Sequence, residues 1–99
     1  MVVRIEEGAE RDLLSGFWFY EDQEPGMGDY CLTKIREEIL ELAGCGGVHR
    51  KRHGFHFCPA RRFPHGFYYQ ISGETVKVYA VLDCRRNPRW IRRRLKDRS

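Results

Sequence analysis

Two arginine pairs, Arg61-Arg62 and Arg85-Arg86, and four histidines, His49, His53, His56 and His65, have the means to act on an anion. A guanidinium presents a planar fork of donors that grips a phosphate or a carboxylate. An imidazole titrates near neutral pH, so it can give or take a proton there. Cleaving an RNA strand asks for more than binding. It needs a base for the 2′-hydroxyl, a cation for the charge on phosphorus and an acid for the leaving oxygen. The simpler reading of the histidines is an exposed basic edge that only binds.

A second constellation is Cys45, His49, His53, His56 and Cys58, within 14 residues. Zinc takes four nitrogen or sulfur ligands, so a zinc-stabilised binding module is the rival reading from another class. The spacing matches no standard ligand pattern. Gly46, Gly47 and Gly54 also oppose a helix that would present His49 and His53 together. The expectation is no metal and no cofactor. The four cysteines, Cys31, Cys45, Cys58 and Cys84, contain no CxxC pair and read as free, mostly buried thiols of a reducing cytosol.

The charge is divided. Residues 1–42 carry eleven acidic and four basic side chains; residues 43–99 carry three and fourteen. The net charge of +4 therefore hides an acidic half at −7 and a basic half at +11. A single domain over 1–99 built this way has one positive and one negative face. The positive face suits nucleic acid or an acidic protein. With 41% hydrophobic and 13% aromatic residues the chain is expected to fold around one modest core. No apolar run is long enough for a membrane span, and Met1–Glu7 does not read as a signal peptide, so the expected compartment is the cytoplasm.

The elements that must position these groups follow from hydrophobic period. Met1–Ile5 reads as a short strand. Ala9 to about Glu24 places Ala9, Leu13, Leu14, Phe17, Trp18 and Tyr20 at helical spacing, and Pro25-Gly26 ends that helix. A second helix from about Gly28 to Ala43 aligns Cys31, Ile35, Ile39 and Leu42, and Gly44, Gly46 and Gly47 stop it. The two form an antiparallel hairpin. Val48–Arg52 is a short strand or a basic loop. Phe55–Phe63 starts as a strand that Pro59 interrupts. Phe67, Tyr69 and Ile71 alternate, Ser72-Gly73-Glu74 turns, and Thr75–Leu82 puts Val76, Val78, Ala80 and Leu82 on one face. A strand apolar on nearly both sides belongs in mid-sheet. Asn87-Pro88 opens a last helix whose stripe is Trp90, Ile91 and Leu95. The order β-α-α-β-β-β-α is an α+β fold: a mainly antiparallel sheet, an N-terminal helical hairpin and a basic C-terminal helix.

Five segments in this order resemble a known family. They are Ala9-Glu10-Arg11-Asp12-Leu13, Trp18-Phe19-Tyr20-Glu21-Asp22-Gln23, Gly26-Met27-Gly28-Asp29, Arg61-Arg62-Phe63-Pro64-His65-Gly66-Phe67-Tyr68-Tyr69, and Val78 to Pro88 followed by Trp90. Together they are similar to the RelE/ParE toxins of bacterial type II toxin–antitoxin systems, especially the ParE-like branch. The resemblance spans nearly the whole chain. It implies a growth-inhibiting toxin, associated with plasmid stabilization, that a cognate antitoxin silences, with operator DNA bound only through the antitoxin. RelE-like members cut mRNA in the ribosome; ParE-like members poison DNA gyrase.

The nuclease branch implies a basic residue near Gly66, an arginine after the last strand and an aromatic hydroxyl near the C-terminus. Arg85 or Arg86 supplies the arginine, but Gly66 has no side chain and Trp90 has no acid or base. Asp83 stands where the ParE-like branch has histidine. These departures favour gyrase poisoning over RNA cleavage and also fit an inactive family member. Arg61, Arg62, Arg85, Arg86 and His65 remain the catalytic candidates. Arg85, Arg86, Arg89, Arg92 and Arg93 are the expected target or phosphate contacts. The family's antitoxin groove implies Trp18, Tyr20, Trp90 and Leu95 as its lining, with Phe17 read as core.

Overall fold

The computed structural model describes residues 1–98. The elements are β1 (Val2–Ile5), α1 (Glu7–Gln23), α2 (Met27–Leu40), α3 (Leu42–Cys45), β2 (Lys51–Arg52), β3 (Phe55–Pro59), β4 (His65–Ser72), β5 (Thr75–Asp83) and α4 (Pro88–Lys96). The expected order holds, with α3 and the two-residue β2 added. The strands form one sheet in the order β1-β5-β4-β3-β2. Only the β1–β5 pair is parallel; the other three pairs are antiparallel. Among the described residues no helix is long and apolar enough to cross a membrane.

The sheet separates two apolar clusters. Ala9, Leu13, Cys31, Ile35, Ile39 and Leu42 of the helices meet Phe67, Tyr69, Val76, Val78 and Val81 on one face. Ile91 and Leu95 of α4 meet Phe55, Tyr68, Ala80 and Leu82 on the other. The hairpin and α4 therefore cover opposite faces. The alternation expected in β5 fails at one point. Tyr68 pairs with Ala80 and Tyr69 with Val78, so Tyr79 is an extra residue. This bulge flips the parity of the strand. Val81 joins Val76 and Val78 beneath the hairpin, while Ala80 and Leu82 turn toward α4.

The α1–α2 turn rests on two glycines and a carboxylate. Gly26 adopts a φ of 88°, which L side chains rarely take. The Glu21 carboxylate accepts the Gly26 N–H at 3.1 Å and the Gly28 N–H at 3.0 Å, satisfying donors at the open end of α2. A Cβ on Gly28 would lie 2.6 Å from the Phe17 carbonyl oxygen and 2.9 Å from the Glu21 side chain. The helices approach here backbone to backbone. Gly28→Ala is expected to lower stability by about 1–3 kcal/mol, the usual cost of overpacking, despite alanine's better helix propensity. Urea denaturation measures it; a gain in stability would mean the hairpin opens at little cost.

The histidine–cysteine run has structural duties. Tyr69 is fully buried; its hydroxyl accepts the Gly47 N–H at 3.0 Å and lies 2.6 Å from His49 Nδ1. His56 stacks on the Tyr69 ring and donates from Nδ1 to the His49 carbonyl at 2.7 Å. His53, at a φ of 55°, turns the β2–β3 hairpin with Gly54. Among the described residues no three His, Cys, Asp or Glu side chains converge as metal ligands. The cysteines are free thiols, but the expectation that most are buried is corrected: only Cys31 is, and Cys45 and Cys84 are exposed. Cys45 sits on the one-turn α3 and Cys84 follows the last strand, places where neither helix nor sheet covers them.

Candidate functional site

A cleft of about 460 Å³ opens between α1 and α4 over the end of β5. Its α1 wall is Arg11, Asp12, Ser15, Gly16 and Phe19; its α4 side is Arg86, Trp90, Arg94 and Arg98; its floor is His65, Val81, Leu82 and Asp83. Spacing of three and four residues along α1 puts Asp12, Ser15, Gly16 and Phe19 on one stripe. The α4 wall is set by its start. Asn87 accepts the Arg89 N–H at 2.8 Å, and Pro88 occupies the first turn. Ile91 and Leu95 then bury one face, which leaves Trp90 and Arg94 turned toward α1.

One ion pair closes the inner end of the cleft. Arg98 meets Asp12 through two parallel bonds, Nη1–Oδ2 at 2.7 Å and Nη2–Oδ1 at 2.9 Å. Both side chains are nearly buried, at 11% and 12% exposure. β1 ends at Ile5 opposite Val78, so the last residues of β5 have no strand on that side. Asp12 accepts the Val81 N–H at 2.9 Å, and Arg98 donates to the Tyr79 carbonyl at 3.0 Å. The pair thus satisfies backbone groups beside the bulge that would otherwise be orphaned. It also ties α4 to α1. Neither residue stood among the sequence-based site candidates; 86 positions separate them, and no periodicity signals such a pairing.

The arginine candidates fall into different environments. Arg61 leans onto α2, bonding Glu41 at 2.9 Å through its side chain and Glu38 at 2.8 Å through its N–H. The Glu41 bond raises the Arg61 pKa further. Arg62 is exposed, and neither Arg61 nor Arg62 lines the cleft. Arg85 is held by Asp83 through Nη2 at 2.8 Å and Nε at 3.1 Å, with its N–H on the same carboxylate at 2.8 Å. That hydrogen-bonded guanidinium holds the Asp83 pKa below the ordinary carboxylate value. Asp83 therefore shapes the turn into α4 while it neutralises Arg85. Arg86 is unlike its neighbour: its guanidinium lies 3.9 Å over the Trp90 ring, with Arg94 at 4.8 Å. Arg89, Arg92 and Arg93 are exposed on α4.

His65 lies on the cleft floor with 8% exposure, between Tyr20 and the Asp83 strand end. Among the described residues its Nδ1 is buried without a hydrogen-bond partner. Burial lowers its pKa, partly offset by Asp83 and Asp12 and reinforced by Arg85. Burial thus favours the neutral imidazole, a proton acceptor with little surface open to the cleft. Below the ordinary histidine value of 6.5 the unfolded chain takes up a proton that the folded chain resists. Stability is therefore full above about pH 6.5 and declines as pH falls below it. His49, lowered by burial and by His56, adds in the same direction. Urea midpoints at about pH 7.5 and about pH 5.5 should show this decline, and His65→Gln should flatten it; an unchanged slope in that variant would assign the loss to other groups.

The remaining positions divide sharply. A Cβ on Gly66 would collide with the Phe57 ring, which occupies the place of any side chain there. No basic residue fits that position without moving Phe57. Trp18 is 56% exposed on α1, Tyr20 is half-buried against Phe63 and His65, and Phe17 is half-buried beside Trp18. Leu95 is 1% exposed in the α4 core, which removes it from any groove lining. A stripe of three apolar α4 positions cannot separate core from groove; the packing does, giving Ile91 and Leu95 to the core and leaving Trp90 half-buried on the cleft side. Phe19, 55% exposed beside the cleft, was missed because four successive large apolar residues hide which one faces water.

No family model matches the chain, and no curated protein matches it. The fold does match a solved structure described as the chromosomal ParDE toxin–antitoxin system from P. aeruginosa. The TM-score is 0.71 at 17% sequence identity, over 82% of this chain and 92% of that one. At that identity the likeness establishes the fold: the chain has the RelE/ParE-like α+β arrangement expected from its sequence.

Proposed function

We propose that this chain is the growth-inhibiting toxin of a type II toxin–antitoxin module, acting by ParE-like poisoning of DNA gyrase and silenced by a cognate antitoxin. It works in the cytoplasm and contributes to plasmid stabilization. The observation that carries this reading is the state of the would-be nuclease positions. Phe57 fills the space above Gly66, Asp83 occupies Arg85, and Trp90 lies under Arg86 and Arg94. What remains on that side is a cleft and a helix rich in exposed arginine, which suits binding and not acid–base work.

Phe19 and Trp90 line the cleft between α1 and α4, Trp18 is exposed farther round α1, and these are the residues we assign to the antitoxin. Acidic residues of the antitoxin would meet Arg11, Arg86 and Arg94 there. Ribosome-dependent mRNA cleavage is the second reading. It rests on His65, a neutral imidazole on the floor of a cleft that also holds Arg86.

Inducing the chain in bacteria without an antitoxin separates the two. Thymidine incorporation falling before leucine incorporation supports gyrase as the target. Leucine incorporation falling first favours mRNA cleavage, and no fall in either removes the toxin reading.

A further inference from the structure

The arginines of α4 and of the β2–β3 hairpin form one surface. Angular position on the helix sets Arg89 and Arg93 directly away from the buried pair Ile91 and Leu95, with Arg92 beside them. Arg86 precedes the helix and is exposed at the mouth of the cleft, over Trp90. Arg52 reaches this face from the hairpin: its guanidinium lies 4.2 Å over Phe57, which packs with the α4 cluster. Its charge is felt at Cys84, in the turn that leads to α4. Among the described residues none of these five arginines has a carboxylate partner. The nearby acid Asp83 is already held by Arg85.

What this surface lacks is as telling as what it holds. Exposed large apolar residues occur on α1, on α2, at the N-terminus and at Val48, and none on α4. A protein partner gains affinity from apolar anchors in desolvated pockets, and the outward face of Arg89, Arg92 and Arg93 offers none, since Trp90 turns into the cleft. A single strand is gripped by stacking bases on bare aromatic rings. Here the available rings, Phe57 and Trp90, already carry arginines. A dense array of unpaired cations without bare rings or apolar anchors fits regularly spaced phosphates.

We propose that the α4 face binds duplex DNA directly, through the phosphate backbone and without sequence preference. This goes beyond the gyrase-poison reading by naming DNA as what α4 grips. It is tested on the purified chain, so its failure is distinguishable from failure of growth arrest in cells.

The experiment is fluorescence anisotropy of the full chain with a labelled duplex of about 20 base pairs. If five arginines reach phosphates, the slope of log K against log salt is about −4.5, so affinity falls roughly 500-fold between about 50 and 200 mM salt. The triple variant Arg89→Gln, Arg92→Gln, Arg93→Gln should keep its urea unfolding midpoint and bring the slope to about −2. Three results overturn the proposal. One is no duplex binding at low salt. Another is tighter binding to the matching single strand. The third is displacement by polyglutamate as effective as by unlabelled duplex, which would identify an acidic protein surface instead.

Discussion

Replacing Asp12 with alanine should lower stability by about 3–5 kcal/mol, the range for stranding one partner of a buried ion pair. Two observations place the effect at that end. Both side chains are nearly removed from water, at 12% and 11% exposure, so solvent does not screen the loss. The same carboxylate oxygen that holds Arg98 also accepts the Val81 N–H. The variant therefore leaves the Val81 N–H without its acceptor and strips the guanidinium of its counter-charge, leaving it the Tyr79 carbonyl. Arg98→Ala should cost less, because Asp12 keeps the Val81 bond and lies nearer to solvent once the arginine is gone. The double variant should cost less than the two single losses together, and the shortfall measures the coupling. Urea denaturation of all four proteins reads it. A loss below about 1 kcal/mol for Asp12→Ala would put the pair in the class of exposed salt bridges and remove its role in docking α4.

The Arg85→Ala, Arg86→Ala double variant should lose growth inhibition and keep its fold. Both residues are exposed, and the Arg85–Asp83 bridge has 64% of its arginine open to water, where such pairs contribute little to stability. The structure separates their contributions. Arg85 is spoken for by Asp83, whereas Arg86 lies over Trp90, lines the cleft and has no carboxylate partner among the described residues. Arg86→Ala alone should therefore account for most of the loss, and Arg85→Ala for little. Viable counts after induction measure toxicity, and thermal unfolding checks the fold. Undiminished killing by the double variant would take both residues out of the site. Equal effects from the two single variants would mean that the Asp83 bridge opens when the target binds.

The order of elements was legible because each carries a local signal: the i, i+4 apolar spacing of α1 and α2, the alternation of Phe67, Tyr69 and Ile71, and the Asn87-Pro88 cap of α4. Local propensities and periods act within a few residues, and they survive in one dimension. The segregation of acid and base between the two halves was equally readable, since it needs only counting. The glycine at position 66 was visible too, but its meaning was not. Only packing shows that the Phe57 ring stands where a side chain would go.

Three other features belong to the tertiary structure alone. The bulge at Tyr79 reverses the faces of β5, because a pairing register depends on the partner strand. The division of the arginines into paired Arg61 and Arg85 and open Arg86 depends on where the carboxylates Glu41 and Asp83 come to rest. The cleft itself exists because Asp12 and Arg98, at opposite ends of the chain, satisfy each other and the edge of β5. The sequence by itself determined which elements form and which half carries the positive charge. The fold decided which of those charges are free to bind, because neutralisation and burial are set by neighbours in space and not by neighbours in the chain.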